Sequence, residues 1–490
     1  MIRQDNRQEM RKKIGRLFVC GFDGTEINEH VDFLLRELTI ANWVLFARNV
    51  SEYGQVAGLC RNLTRETQRI NGMLPFVSID QEGGIVSRLH GDMNMYPGAM
   101  ALAALDDVDI AATVARITGE HLRALGFNMN LAPVCDINSN PKNPIIGTRS
   151  FGDSPLKVAA FAAAVMKGYM SAGVIPVLKH FPGHGDTDLD SHLELPLLPH
   201  ERSILEKREL HPFRHCIQEG APAVMTAHIR VPALDDSKLP ASLSKQLVQG
   251  LLRSSLNFDG LVLTDCLEMK GVSARFSIGD AVLHAFEAGT DLLLISHRAE
   301  EQERGFKALY DAAISGKISE SRIDHSLNRM EECRRAMSLN KHPAPAPDSL
   351  PVSREDAGTG GASVSREGAV SLPDSREYAG TGGALFSRIF EEDAPFLREV
   401  SRKSLTLVRD RGFLSSGSLP NSPETLILSL ERPEQFIGEN TVSGGIPIRR
   451  LQEAFPRADF HSIHADRSAQ EILHVDGVDI LTAATSQRYT

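Results

Sequence analysis

Fourteen residues, Lys179 to His192, read Lys-His-Phe-Pro-Gly-His-Gly-Asp-Thr-Asp-Leu-Asp-Ser-His and hold three histidines, three aspartates and a lysine. A loop that only joins two elements has no use for so many titratable groups, and loops at strand ends are where function concentrates. Within it Asp190 stands two residues before His192. At that spacing a carboxylate can hold one ring nitrogen, fix the tautomer and leave the other nitrogen to move a proton. A lone loop histidine is most often plain surface; the neighbouring carboxylate turns the reading toward proton transfer. Downstream, Leu261-Val262-Leu263-Thr264 ends in Asp265. Asp265 either caps the segment that follows or serves as a nucleophile, as carboxylates do in retaining glycosidases.

A metal is the competing use of such a cluster. Asp186-x-Asp188-x-Asp190 opens like a calcium loop, but its sixth position is Ser191 where the tight turn needs glycine. Its twelfth is Leu197 where a bidentate glutamate belongs. By residue type, His180, His184 and His192 keep a zinc site open. The expectation is nevertheless a site without metal or cofactor.

These side chains need elements to hold them. The loop follows Val174–Leu178, an apolar run that reads as a buried strand. Similar runs lie at Leu17–Phe22, Trp43–Arg48, Pro75–Asp80, Asn128–Pro133, Val174–His180, Ala223–Ile229, Gly260–Asp265 and Asp291–Ser296. Between them apolar residues take helical spacing, as in Val31-Leu34-Leu35-Leu38 and Val158-Phe161-Val165-Met166. Strands that alternate with helices must be parallel, because each return needs a crossover. Eight such units close most simply into a (β/α)8 TIM-type barrel. An open doubly wound sheet is the alternative, and it lacks a Gly-rich phosphate fingerprint after the first strand. A barrel puts function at the C-terminal strand ends, where Asp80, Arg149, Lys179, His180, His228 and Asp265 fall in succession.

The barrel is expected over residues 1–340. Residues 341–394 are rich in Pro, Gly, Ser and Ala and carry a near-repeat, Ser353–Ala362 recurring at Ser375–Ala384. That unit has almost no large apolar residue, so it cannot build a core and reads as a flexible linker. Residues 395–490 read as a smaller, truncated α/β domain. Its expected strands are Ser404–Val408, Glu424–Leu430 and Ile480–Ala483, with helical spacing at Ile448-Leu451-Phe455.

Composition narrows the class. A formal charge of −10 argues against nucleic acid as a partner, and one tryptophan leaves few platforms for a long polymer. The polar residues 1–16 hold no apolar leader, and windows such as Val158–Met166 are too short to span a bilayer. Six scattered cysteines without CxxC pairing suit reduced thiols, so the expected compartment is the cytoplasm. No membrane insertion and no obligate protein partner is expected.

The loop from Lys179 to Thr187 and on to Asp190-Ser191-His192 resembles the signature of bacterial β-N-acetylglucosaminidases of glycoside hydrolase family 3. Ser78–Gly84 with Arg88, Asn130–Asp136 through Gly147–Gly152, and Thr264–Met269 are similar to further segments of that family, in the same order. The resemblance covers roughly residues 14–338. It implies Asp265 as nucleophile and His192, assisted by Asp190, as general acid/base. It also implies Asp80, Arg88, Arg149, Lys179 and His180 as binders of a terminal sugar. The implied substrate is a GlcNAc-containing oligosaccharide or muropeptide, turned over in cell-wall recycling. Met225–His228 and Pro240–Ser244 also resemble family segments and read as architecture first. Glu268 is a fallback acid, although a glutamate at a helix start usually answers the dipole. Rival readings are a β-N-acetylglucosaminide phosphorylase, a β-glucosidase or β-xylosidase, and a degenerate binding barrel.

Overall fold

The computed structural model describes residues 4–89, 96–140, 143–187, 195–337, 390, 393–401 and 404, and the backbone of strands within 427–480. Eight short strands alternate with helices: β1 Phe18–Cys20, β2 Asn42–Leu45, β3 Val77–Ile79, β4 Met129–Asn130, β5 Ile175–Phe181, β6 Ala223–Thr226, β7 Leu261–Thr264 and β8 Leu293–Ile295. They hydrogen-bond in the order β7-β6-β5-β4-β3-β2-β1-β8, every pair parallel. The ring closes between β7 and β8 through the parallel bridge Leu263–Leu292, with Thr264 N donating to Leu292 O at 3.0 Å. All eight expected strands are present, and the architecture is the (β/α)8 barrel.

The strands read as unbroken apolar runs because every residue in them is buried, packed inside against the barrel centre and outside against helices. Helix starts follow the sequence's own punctuation. Asn28, Asp107, Ser154, Ser277 and Ser319 each accept a hydrogen bond from a backbone amide of the first helical turn. Ser154 is followed by Pro155 at the first helical position, where a missing N–H costs nothing.

The helix Glu320–Ala336 returns to the N-terminal helix Gln4–Gly15, where Lys13 Nζ pairs with Glu320 and Asp324 at 2.7 Å each. No helix among the described residues is long and apolar enough to cross a membrane. Residues 393–401 are helical, and Ser404, expected to open a strand, is helical too. Farther on lie β9 Ile427–Ile437, β10 Asn440–Gly444, β11 Phe460–His464, β12 Leu473–Val475 and β13 Val478–Ile480. β9 pairs antiparallel with β10 and parallel with β11. The linker repeat, residues 405–408 and the helical spacing at 448–455 lie outside the described residues.

Candidate active site

A cavity of about 300 Å³ opens at the C-terminal ends of the strands, large enough for a sugar ring. Asp80, Arg88, Arg149, Lys179, His180 and Asp265 all line it, so residues drawn from four strand ends converge there. Asp190 and His192 lie outside the described residues.

On one wall the charges interlock. Lys179 Nζ donates to Asp80 Oδ1 and to Glu82 Oε1, at 2.6 Å each. Arg149 grips Glu82 with two nitrogens, at 2.9 and 2.8 Å. Arg88 stands 3.6 Å from the second oxygen of Asp80. Burial works against ionising Glu82, yet the charges of Arg149 and Lys179 prevail and hold its carboxyl well below the usual range. The same attraction raises Lys179 and Arg149 above their ordinary values despite their own burial. Three cations thus surround two carboxylates, and the cations have further N–H groups to donate.

Behind this wall Asp136 organises the next turn. Its carboxylate is fully buried and accepts from His180 Nδ1 at 2.6 Å and from the His184 amide at 2.7 Å. Burial opposes its ionisation, but His180 and His184 outweigh that and lower its pKa. Since Arg149 can only donate to His180 Nε2, at 3.4 Å, the ring is the Nδ1–H tautomer. His184, which also lines the cavity, is pushed down to about 4 by burial and by His180. Its Nδ1 lies 2.9 Å from Thr187 Oγ1.

The start of the loop is packed, and its glycines are there for close approach. A Cβ on Gly185 would run into the carbonyl of Ile137, and one on Gly183 would lie 2.9 Å from Glu209 Cβ. Asp186 accepts from His200 Nε2 at 2.6 Å and from Arg208 at 2.8 Å.

On the other side of the cavity stands Asp265. Its amide donates to Thr226 O at 3.0 Å, and its Oδ1 accepts from the Cys266 amide at 2.7 Å. His228, fully buried at the end of β6, bonds to Cys266 O at 2.9 Å through Nε2 and to Ser242 Oγ at 2.7 Å through Nδ1. A carbonyl only accepts, so Nε2 carries the proton and Ser242 donates to Nδ1. The two segments read as architecture, Met225–His228 and Pro240–Ser244, therefore meet to pin the residue after Asp265. Glu268 is not placed to be an acid: it accepts from the amides of Ser296, His297 and Arg298 and from Arg298 Nε, at 2.8–3.1 Å. Burial pushes the neighbouring Cys266 thiol up to about 12.

Asp136 and Glu82 were not singled out in the sequence, and His184 only as one of three possible zinc ligands. The first two stand inside quoted motifs, and Glu82 two residues after Asp80 was the available signal.

The family model described as the glycosyl hydrolase family 3 N-terminal domain matches residues 9–333. The chain belongs to glycosyl hydrolase family 3. A family 3 β-N-acetylglucosaminidase structure from Paenibacillus sp. str. FPU-7 superposes with a TM-score of 0.75 at 35% identity, over 94% of this chain and 80% of that one. Beta-hexosaminidase A of Pseudoalteromonas piscicida is 37% identical over 337 residues, 64% of this chain and 56% of its own length. Beta-hexosaminidase LpqI of Mycobacterium tuberculosis is 39% identical over 267 residues, 53% of this chain and 68% of its own. The chain thus spans little more than half the length of the first of these relatives, and both sequence alignments cover less of it than the structural one.

Proposed function

We propose that this family 3 chain is a retaining exo-β-N-acetylglucosaminidase. The observation that carries the reading is the two-sided cavity. One wall is a charge-locked set of polar groups, Asp80, Glu82, Arg88, Arg149 and Lys179. The other presents the single carboxylate Asp265, oriented by a backbone amide. A terminal GlcNAc held by the first wall would offer its anomeric carbon to Asp265, which forms a glycosyl ester as the leaving group departs. His192, held by Asp190, would protonate that leaving oxygen and then take the proton from the attacking water. No cofactor enters this scheme. The names of the hexosaminidase relatives support a GlcNAc-containing substrate. Muropeptides from cell-wall recycling are the proposed source. The six buried, unpaired thiols support a reducing compartment, and cytoplasmic location is proposed on that ground.

Product NMR with a GlcNAc disaccharide tests the reading. The β-anomer of GlcNAc should form first, with phosphate present or absent; initial α-anomer would remove Asp265 as a nucleophile, and GlcNAc 1-phosphate would assign a phosphorylase. His192→Ala should slow substrates with poor leaving groups far more than activated aryl glycosides, since only the former need protonation. Equal losses on both would contradict the acid role.

A further inference from the structure

Among the described residues, metal-ligating side chains converge at Cys266, Glu268 and His297, whose donor atoms all lie within 4.8 Å of one another. Cys266 Sγ is 3.7 Å from Glu268 Oε2. A tetrahedral zinc, with bonds of about 2.3 Å to sulfur and about 2.0 Å to oxygen, would set those two atoms about 3.5 Å apart. The backbone of the third ligand is already held beside Glu268, whose Oε2 accepts the His297 amide at 2.8 Å and the Ser296 amide at 2.9 Å. The loops after β7 and β8 are therefore fastened together before any ion arrives, which is the rigidity a metal site requires. All three residues line the cavity that contains Asp265, so a fourth coordination position faces that space. A thiol, an imidazole and a carboxylate suit zinc and its neighbours, whereas magnesium and calcium take oxygen sets. Two cations face the same place. Arg48 lies 3.2 Å from His297 Nδ1, and Arg298 Nε donates to Glu268 Oε1 at 3.1 Å. In an occupied site the thiolate and the carboxylate balance the ion's own two charges, and the exposed Arg298 side chain can turn to solvent.

We propose that Cys266, Glu268 and His297 bind a thiophilic divalent cation such as Zn²⁺ on the wall of the substrate cavity, and that its occupancy stops turnover. On binding, the thiol proton leaves to solvent, a sulfur–metal bond forms, and the thiol's contact with Glu268 becomes shared ligation; nothing is oxidised or reduced. Inhibition rests on the glycosidase reading, because an ion one residue from Asp265 would occupy the approach to it and attract its carboxylate. Binding itself does not rest on that reading.

The test uses the full chain, stripped with a chelator and kept reduced with a phosphine. Titration with Zn²⁺ by calorimetry should show one equivalent bound and about one proton released per ion. Co²⁺ should produce the near-ultraviolet thiolate-to-cobalt charge-transfer band, and Cys266→Ser should remove it. Cys266→Ser and His297→Gln should each weaken Zn²⁺ binding by about tenfold or more. If Cys266→Ser folds poorly, the affinity of His297→Gln decides. Absence of the band in the unmodified chain overturns the site, as does unchanged affinity in the variants; zinc held by the loop histidines instead would show both. Hydrolysis of an aryl GlcNAc should stop as the site fills and return with chelator. Filling without inhibition strikes the control of turnover, whereas no basal hydrolysis strikes the glycosidase reading and leaves the binding result standing.

Discussion

Glu82 does more for this cavity than its place in the sequence announces. Its side chain is 6% exposed and answers both Arg149 and Lys179, so one carboxylate sets the geometry of two proposed sugar donors. The sequence draws attention to charged residues at strand ends, and Asp80 is one; Glu82 sits two residues later, on the turn, where a glutamate is unremarkable. Only the register of β3 against its neighbours brings it to Arg149, 67 residues away. Asp136 escaped for the same reason, since its partner His180 is 44 residues distant. Replacing Glu82 by Gln keeps the shape but leaves two buried cations short of a charge. Breaking a buried pair in this way costs about 3–5 kcal/mol. Glu82→Gln should lose stability of that order in denaturant unfolding and raise KM, because misplaced Arg149 and Lys179 bind the sugar poorly in ground and transition states alike. A loss below about 1 kcal/mol, the range of an exposed pair, would show that Glu82 is not the centre of the network.

At the scale of elements, the strands were legible and the packing at their ends was not. β5 is seven residues long and buried throughout, so its apolar run stood out. Its Lys179–His180 peptide is cis, a state too rare outside proline to be anticipated. The loop glycines allow close packing, which brings Gly183 against Glu209 and Gly185 against Ile137. Glu209 is almost fully buried there, and its Oε2 finds no hydrogen-bond partner. Burial raises its pKa to about 7, even with Arg208 Nε donating to Oε1 at 2.6 Å. The folded chain therefore holds this proton up to about pH 7, and the unfolded chain only to about 4.5. Between those values the folded state binds more protons, so this group's contribution falls as pH rises. By about pH 8 the loss is on the order of 3 kcal/mol. Glu209→Gln removes the titration. Its stability relative to the unmodified chain should therefore improve from about pH 5 to about pH 8 in urea unfolding; parallel pH curves would show that Glu209 ionises normally.

The molecule as a whole extends beyond the barrel in a way the linker composition concealed. Residues 341–394 read as spacer because Pro, Gly and Ser dominate them, while the helical residues 393–401 begin inside that range. Yet Phe390 stacks on Tyr53 with ring centres 3.9 Å apart and packs on His121 at 4.1 Å. Leu397 and Val400 join the same buried cluster. Asp393 accepts from His121 Nε2 at 3.2 Å, which leaves Nδ1 to accept from Tyr96 OH at 2.7 Å. Tyr96 in turn accepts the Gly84 amide through its carbonyl at 2.9 Å, two residues from Glu82. A continuous set of contacts thus runs from the helix on the barrel's flank to the turn that carries the charge network. Ending the chain at Met337 would remove Phe390, Leu397 and Val400 together, and loss of one buried phenylalanine alone costs about 3–5 kcal/mol. That chain should melt at a clearly lower temperature and show a raised KM for an aryl GlcNAc. A chain ending at Ser404 keeps every contact in the set and should match the 490-residue chain in both. If the two shortened chains behave alike, the flank helix neither supports the barrel nor reaches the cavity through Tyr96.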